Sequence, residues 1–146
     1  MKHRRGRALV ATDHKSCPTA ALKVARSVVG HDGEVVLASI VVVPVTQPLD
    51  AQLSRTLEQA CENLDKSEMA VTGAFDTRLV RSRGFARGVS ETLDAEPDFD
   101  FVVIQQDKDH RQEDAAAHLA QRLEGTETTL VVVRPPWHPK AASAQG

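Results

Sequence analysis

Apolar residues along the chain gather in five short blocks, and between them they recur every three or four positions. The blocks are residues 8–12 (ALVAT), 35–43 (VVLASIVVV), a weaker and more polar one around 77–80, 99–104 (FDFVVI) and 129–133 (TLVVV), the last closed by Pro135 and Pro136. The second block is almost uninterrupted, which suits a parallel strand covered on both faces. The third reads as an edge strand.

The intervening segments have helical spacing. Ser16 is placed to cap a first helix with Pro18 in its first turn. Ala21, Leu22, Ala25, Val28 and Val29 then form its inward face, and Gly30 supplies a stop. Asp50 is placed to cap a second helix whose stripe runs Leu53, Leu57, Cys61 and Leu64, with Gly73 beyond it. Phe85, Val89 and Leu93 mark a third helix that ends before Pro97. A fourth is expected over residues 113–124, with Ala116, Leu119, Ala120 and Leu123 inward and Gly125 at its end. The order β-α-β-α-β-α-β-α-β predicts one α/β domain, a parallel five-stranded sheet between helical layers. The segments 1–6 and 137–146 read as flexible termini flanking a domain over 7–136.

Composition narrows the function classes. The chain has 146 residues and a net charge of -2, with aromatics at only 3 % and no Tyr. An acidic total without stacking aromatics argues against nucleic-acid binding. No apolar run reaches the roughly 18 residues that cross a bilayer, so direct membrane insertion is not expected. Cys17 and Cys61 have neither zinc-type nor redox-pair spacing, and a cytoplasmic setting is the default reading.

Several stretches resemble the universal stress protein family. They are RALVATD, ending in Asp13; GHDGEVVLASIVVVP; RGFARGVSETLDAEPDFDFVVIQ, in which a helix opening on an A-x-G motif runs into a hydrophobic strand; and the terminal TTLVVVRPP. The likeness covers residues 7–136 and rests on the order and spacing of these pieces. The VVVP after the second strand, followed by LD and a long helix, is similar to the subset associated with amino-acid permeases and cation antiporters. Under that likeness the basic head KHRRGR marks the edge of a former membrane segment; a solvated arm is the plainer reading.

The resemblance implies a doubly wound sheet in the order 3-2-1-4-5. Ligands in such sheets sit beyond the strand ends where the order reverses, here between strands one and four. Thr12, Asp13, Gln105 and Arg111 are the candidate ligand-binding residues. In ATP-binding members strand four is followed by G-x2-G-x9-G-[ST], whose glycines let backbone N–H groups reach the phosphates. This chain has no glycine from Gln105 to Glu124, and Asp107, Asp109, Glu113 and Asp114 add negative charge there. No ATP binding of the family kind is expected, and no cofactor. Asp13 matches the acidic residue that approaches the base or sugar in the family, or else it simply turns the chain. A small adenine-containing ligand such as AMP or cyclic AMP is the alternative.

The family also implies a homodimer through antiparallel pairing of strand five, with Leu130, Val131, Val132 and Val133 at the interface. Shielding of that edge by the tail that carries Trp137 is the competing reading. A protein or transporter partner fits a regulatory module. Cys17 is either a helix-start thiol open to redox chemistry or a small packed side chain, and Cys61 reads as core. His14 and His110 could meet at the switch point, yet no histidine has metal-ligand spacing. Arg78, Arg81, Arg83 and Arg87 form a basic cluster, read as a salt-bridged edge or an anion site. No nucleophile elbow or triad spacing supports an enzyme.

Overall fold

The computed structural model describes residues 6–13, 18–30, 32–48, 54–70, 75–96, 98–105 and 110–133. The elements are β1 (Arg7–Asp13), α1 (Thr19–Val29), β2 (Glu34–Val42), α2 (Ser54–Ala70), β3 (Asp76–Ser82), α3 (Phe85–Ala95), β4 (Phe101–Gln105), α4 (His110–Leu123) and β5 (Thr129–Val133). The five strands form one sheet in the order β3-β2-β1-β4-β5, and every pairing is parallel. Both expectations, the element order and the sheet order, hold.

Strand alternation sends successive side chains to opposite faces, which explains the unbroken apolar runs. On one face Leu9, Ala11, Val36, Ala38, Ile40, Val102 and Ile104 pack with Val89 and Leu93 of α3 and Leu119 and Leu123 of α4. On the other, Ala8, Val10, Val35, Leu37 and Val103 meet Ala21, Leu22 and Ala25 of α1. The three inner strands β1, β2 and β4 are thus buried on both faces. β3 and β5 lie at the edges, and their residues are mostly half-buried or exposed.

Gly30 ends α1 at φ +77°, with its N–H donating to Arg26 O at 2.9 Å, a conformation that favours glycine. Gly125, at φ +81°, takes the same kind of backbone conformation two residues beyond α4.

Several boundaries and faces differ from expectation. β4 begins at Phe101; Phe99 instead packs into the core below it, with the Arg7 guanidinium 4.3 Å from its ring centroid. α4 begins at His110, three residues early, and Ala115 is buried while Ala120 is exposed. Val28 of α1 is exposed. In α2 the inward stripe runs Thr56, Leu57, Ala60 and Asn63, with Ala60 fully buried. Cys61 is exposed and is not core. One residue turns the helix by roughly 100°, so a step from Ala60 to Cys61 carries the side chain past the rim of a narrow stripe. Leu53, Asp50, Ser16, Gly73 and Pro97 lie outside the described residues.

Candidate functional site

The order reversal falls between β1 and β4, whose register runs from Ala8 opposite Phe101 to Ala11 opposite Ile104. The carboxyl ends of these two strands therefore emerge side by side. Thr12 is buried at 7 % exposure, and Asp13 and Gln105 are half-buried at the rim. Three of the four candidate ligand residues are thus brought to one place by the sheet.

The N-terminus of α1 adjoins this rim, because α1 packs on both β1 and β4. Its N-cap is Pro18, which gives no side-chain cap, and its first turn holds no acidic residue. Leu22 N–H closes the first turn on Pro18 O at 2.9 Å. The N–H of Ala21 has no partner inside the helix, as for any third helical position. It donates to Oε1 of Gln105 at 3.1 Å, a bond between residues 84 apart in sequence. Gln105 thus supplies from another strand the acceptor that a Ser or Asp would ordinarily supply from the cap. The expected cap, Ser16, lies outside the described residues, as do His14, Cys17 and residues 106–109. Arg111 lies in the first turn of α4, and His118 is exposed on the same helix.

The neighbouring wall is the β2–α2 connection. Arg83, just past the end of β3, donates from Nη1 to Pro44 O and Gln47 O, each at 2.6 Å. One guanidinium nitrogen thereby gathers carbonyls of a loop almost forty residues earlier. Sequence reading grouped Arg83 with a basic cluster; the cluster separates in space. Arg78 forms a forked pair with Glu96, Nε to Oε2 at 3.1 Å and Nη2 to Oε1 at 3.2 Å. Arg87 pairs with Glu91 one turn along α3.

Among the described residues, a set of paired charges lies at the opposite, amino-terminal end of the sheet. Arg7 pairs with Glu34 and lies 3.6 Å from Glu96, its backbone N–H donating to Asp100 Oδ2 at 2.9 Å. The hydrogen bond from Arg78 holds the Glu96 carboxyl below the usual carboxylate range, and the same bond raises the Arg78 guanidinium. A hollow of about 460 Å³ beside Arg7, Glu34, Phe75 and Asp76 lies at this end, away from the switch point. Of the charges around it, Arg7 and Glu34 are bound to each other, and Asp32 and Asp76 also line it. Among the described residues no group of three or more His, Cys, Asp or Glu side chains is placed to hold a metal ion. No helix among them is long and apolar enough to cross a membrane.

No protein-family model matches the chain, and no curated protein matches it in sequence. A solved universal stress protein in complex with cAMP superposes with a TM-score of 0.53. The chain has the fold of a universal stress protein. The match covers 90 % of this chain and 98 % of that one, at 17 % sequence identity. What is shared is the doubly wound parallel sheet with its helices on both faces.

Proposed function

We propose that this chain is a universal-stress-protein-like regulatory module that keeps the scaffold without the glycine phosphate loop, and that it carries out no catalysis. The observation behind this is the shortness of the connection at the switch point. β4 ends at Gln105 and α4 begins at His110, leaving four positions, 106–109, between them. A G-x2-G-x9-G-[ST] motif spans roughly fifteen positions and would run through most of α4, whose N–H groups beyond the first turn are committed to i→i−4 bonds. None of the residues from 105 to 124 is glycine. With no loop to wrap phosphates and no cofactor, the module acts through partners, as a cytoplasmic homodimer joined along β5 and in contact with a regulated protein or transporter.

Support for the dimer comes from β5 itself. Among the described residues it pairs on one side only, with β4, and Val132 is 37 % exposed; the tail that carries Trp137 lies outside the described residues. An unpaired apolar edge of this kind is a template for another strand. Leu130, Val131 and Val133 turn part of their surface into the two cores, so a β5–β5 pairing would extend both hydrophobic layers across the dimer axis.

A second reading is favoured by the solved neighbour, which holds cAMP. In it, Thr12, Asp13, Gln105 and Arg111 receive a small adenine-containing ligand. Thermal unfolding with millimolar Mg-ATP, ADP, AMP and cyclic AMP separates the two. A ligand at a hundred times its Kd stabilises by about 2.7 kcal/mol, a shift of several degrees for a domain of this size. Silence to all four supports the interaction module. A shift confined to AMP or cyclic AMP favours the sensor, and a shift with Mg-ATP defeats the main reading.

A further inference from the structure

We infer that the outer edge of β3 is a docking surface for an acidic, extended segment of a partner protein, an inference that rests on the reading of this chain as a module acting through partners. Among the described residues β3 pairs only with β2, so its outer side offers backbone N–H and C=O groups to an added strand. Strand alternation sets Val80 against the core on the α3 side and puts Thr77, Leu79 and Arg81 together on the opposite face. Leu79 is 45 % exposed there. Past the end of the strand, Arg83 pins the turn after β2 by its bonds to Pro44 O and Gln47 O, and Val45 in that turn is 85 % exposed. An exposed apolar side chain towards each end, with arginines between them, suits an incoming strand that carries both apolar and charged side chains.

Charge decides the occupant. Residues 76–87 hold four arginines against one aspartate, and residues 36–48 of the neighbouring strand and turn hold no charged side chain. Arg78 and Arg87 are paired with Glu96 and Glu91, and Arg81 has a partner as well. Arg83 differs. Among the described residues it bonds to backbone carbonyls and to no carboxylate, so its positive charge is unmatched. The first turn of α3 beside it contains no acidic residue, and the positive end of that helix adds to the field. A carboxylate on an incoming strand gains from all of these. A second copy of this chain does not, because β3 against β3 brings arginines towards arginines. β5 carries no charged residue and has no such bar, so the two edges select different occupants.

The test uses the full chain and a short fluorescein-labelled peptide alternating glutamate and valine, read by anisotropy and by hydrogen exchange. The peptide is expected to bind saturably, to slow exchange over residues 76–82, and to weaken as salt is raised. A lysine–valine peptide should bind about tenfold or more weakly than the acidic one. A glutamate–proline peptide should lose as much, since proline cannot donate to the ladder. Leu79→Asp sets a carboxylate at the centre of the exposed face and should cost about tenfold in affinity for the acidic peptide. Should that variant fail to fold, Arg83→Gln, which removes the unmatched charge, takes its place with a loss in the same direction. Val132→Lys, on the other edge of the sheet, should bind as wild type does. No saturable binding, equal binding of the lysine peptide, or protection that appears over residues 129–133 instead would overturn the inference. None of these outcomes touches the reading of the chain as lacking a phosphate loop, which instead falls if wild type is stabilised saturably by Mg-ATP.

Discussion

Gly88 allows α3 to approach the sheet, and replacing it with alanine measures how tight that approach is. Gly88 is buried in the first half of α3, facing β2. A Cβ at this position would lie 2.6 Å from Cγ2 and 3.3 Å from Cδ1 of Ile40, and 3.2 Å from Cβ of Ser82. Ile40 is fully buried in the cluster that joins α3, α4 and the sheet, so it cannot swing into solvent. Two effects oppose each other. Alanine gains about 1 kcal/mol of helix propensity over glycine, while forcing a methyl into a packed core costs about 1–3 kcal/mol. A contact at 2.6 Å with a fixed core side chain lies at the severe end, so a net loss of about 1–2 kcal/mol is expected for Gly88→Ala. At 2–4 °C per kcal/mol this lowers Tm by roughly 4 °C. Urea and thermal unfolding followed by circular dichroism would read it. Combining the change with Ile40→Ala isolates the cause: with the branched side chain gone, Gly88→Ala should become neutral or stabilising, a coupling of about 1 kcal/mol or more. A Gly88→Ala protein as stable as wild type, or the same loss in both backgrounds, would refute the packing argument.

Three further outcomes follow from the structure. Glu96 titrates below its unfolded value because of Arg78, so its pairing stabilises the fold fully above the unfolded carboxylate range and fades as pH falls through the folded value. The pair is partly solvated, which limits Glu96→Gln to a loss of about 0.5 kcal/mol at pH 7; denaturant midpoints for the two proteins should converge in acid, and a difference that persists at pH 2 contradicts the assignment. Arg83→Ala removes the bonds to Pro44 and Gln47 carbonyls, costing about 1 kcal/mol, and hydrogen exchange over 43–48 should quicken while exchange in β1 does not. If the proposed β5–β5 dimer forms, wild type sediments as a dimer and Val132→Lys, which sets like charges across that pair, as a monomer of unchanged fold; a monomeric wild type, or a dimer that survives the substitution, refutes the β5 interface.

What the sequence determined was whatever depends on local periodicity. Strands β1, β2 and β4 announce themselves because burial on both faces leaves no polar positions to interrupt the run, and Gly30 and Gly125 mark helix ends through backbone conformations that other residues avoid. Phe85, Val89 and Leu93 gave the face of α3 for the same reason. The stripe of α2 was misread because Ala60, small and weakly apolar, is the residue packed inward, while Cys61 one step on is exposed. Hydrophobicity alone does not separate two such neighbours. The family likeness pointed to the switch point and to Thr12, Asp13, Gln105 and Arg111 as ligand contacts, with no sign that Gln105 also bonds to the start of α1.

Only the tertiary structure showed what occupies these groups. The Gln105–Ala21 bond spans 84 residues and the Arg83 clasp spans 36 to Gln47; neither leaves a trace in spacing, because each partner is ordinary in its own segment. The same holds for Arg78, whose carboxylate partner Glu96 lies one helix away in sequence but beside it in space. Side chains that pair across elements are chosen by the sheet order and the helix placement, and those follow from burying two apolar faces at once. The sequence therefore set the scaffold, through patterns each segment carries alone, and the packed fold decided which donors and charges pair across its elements.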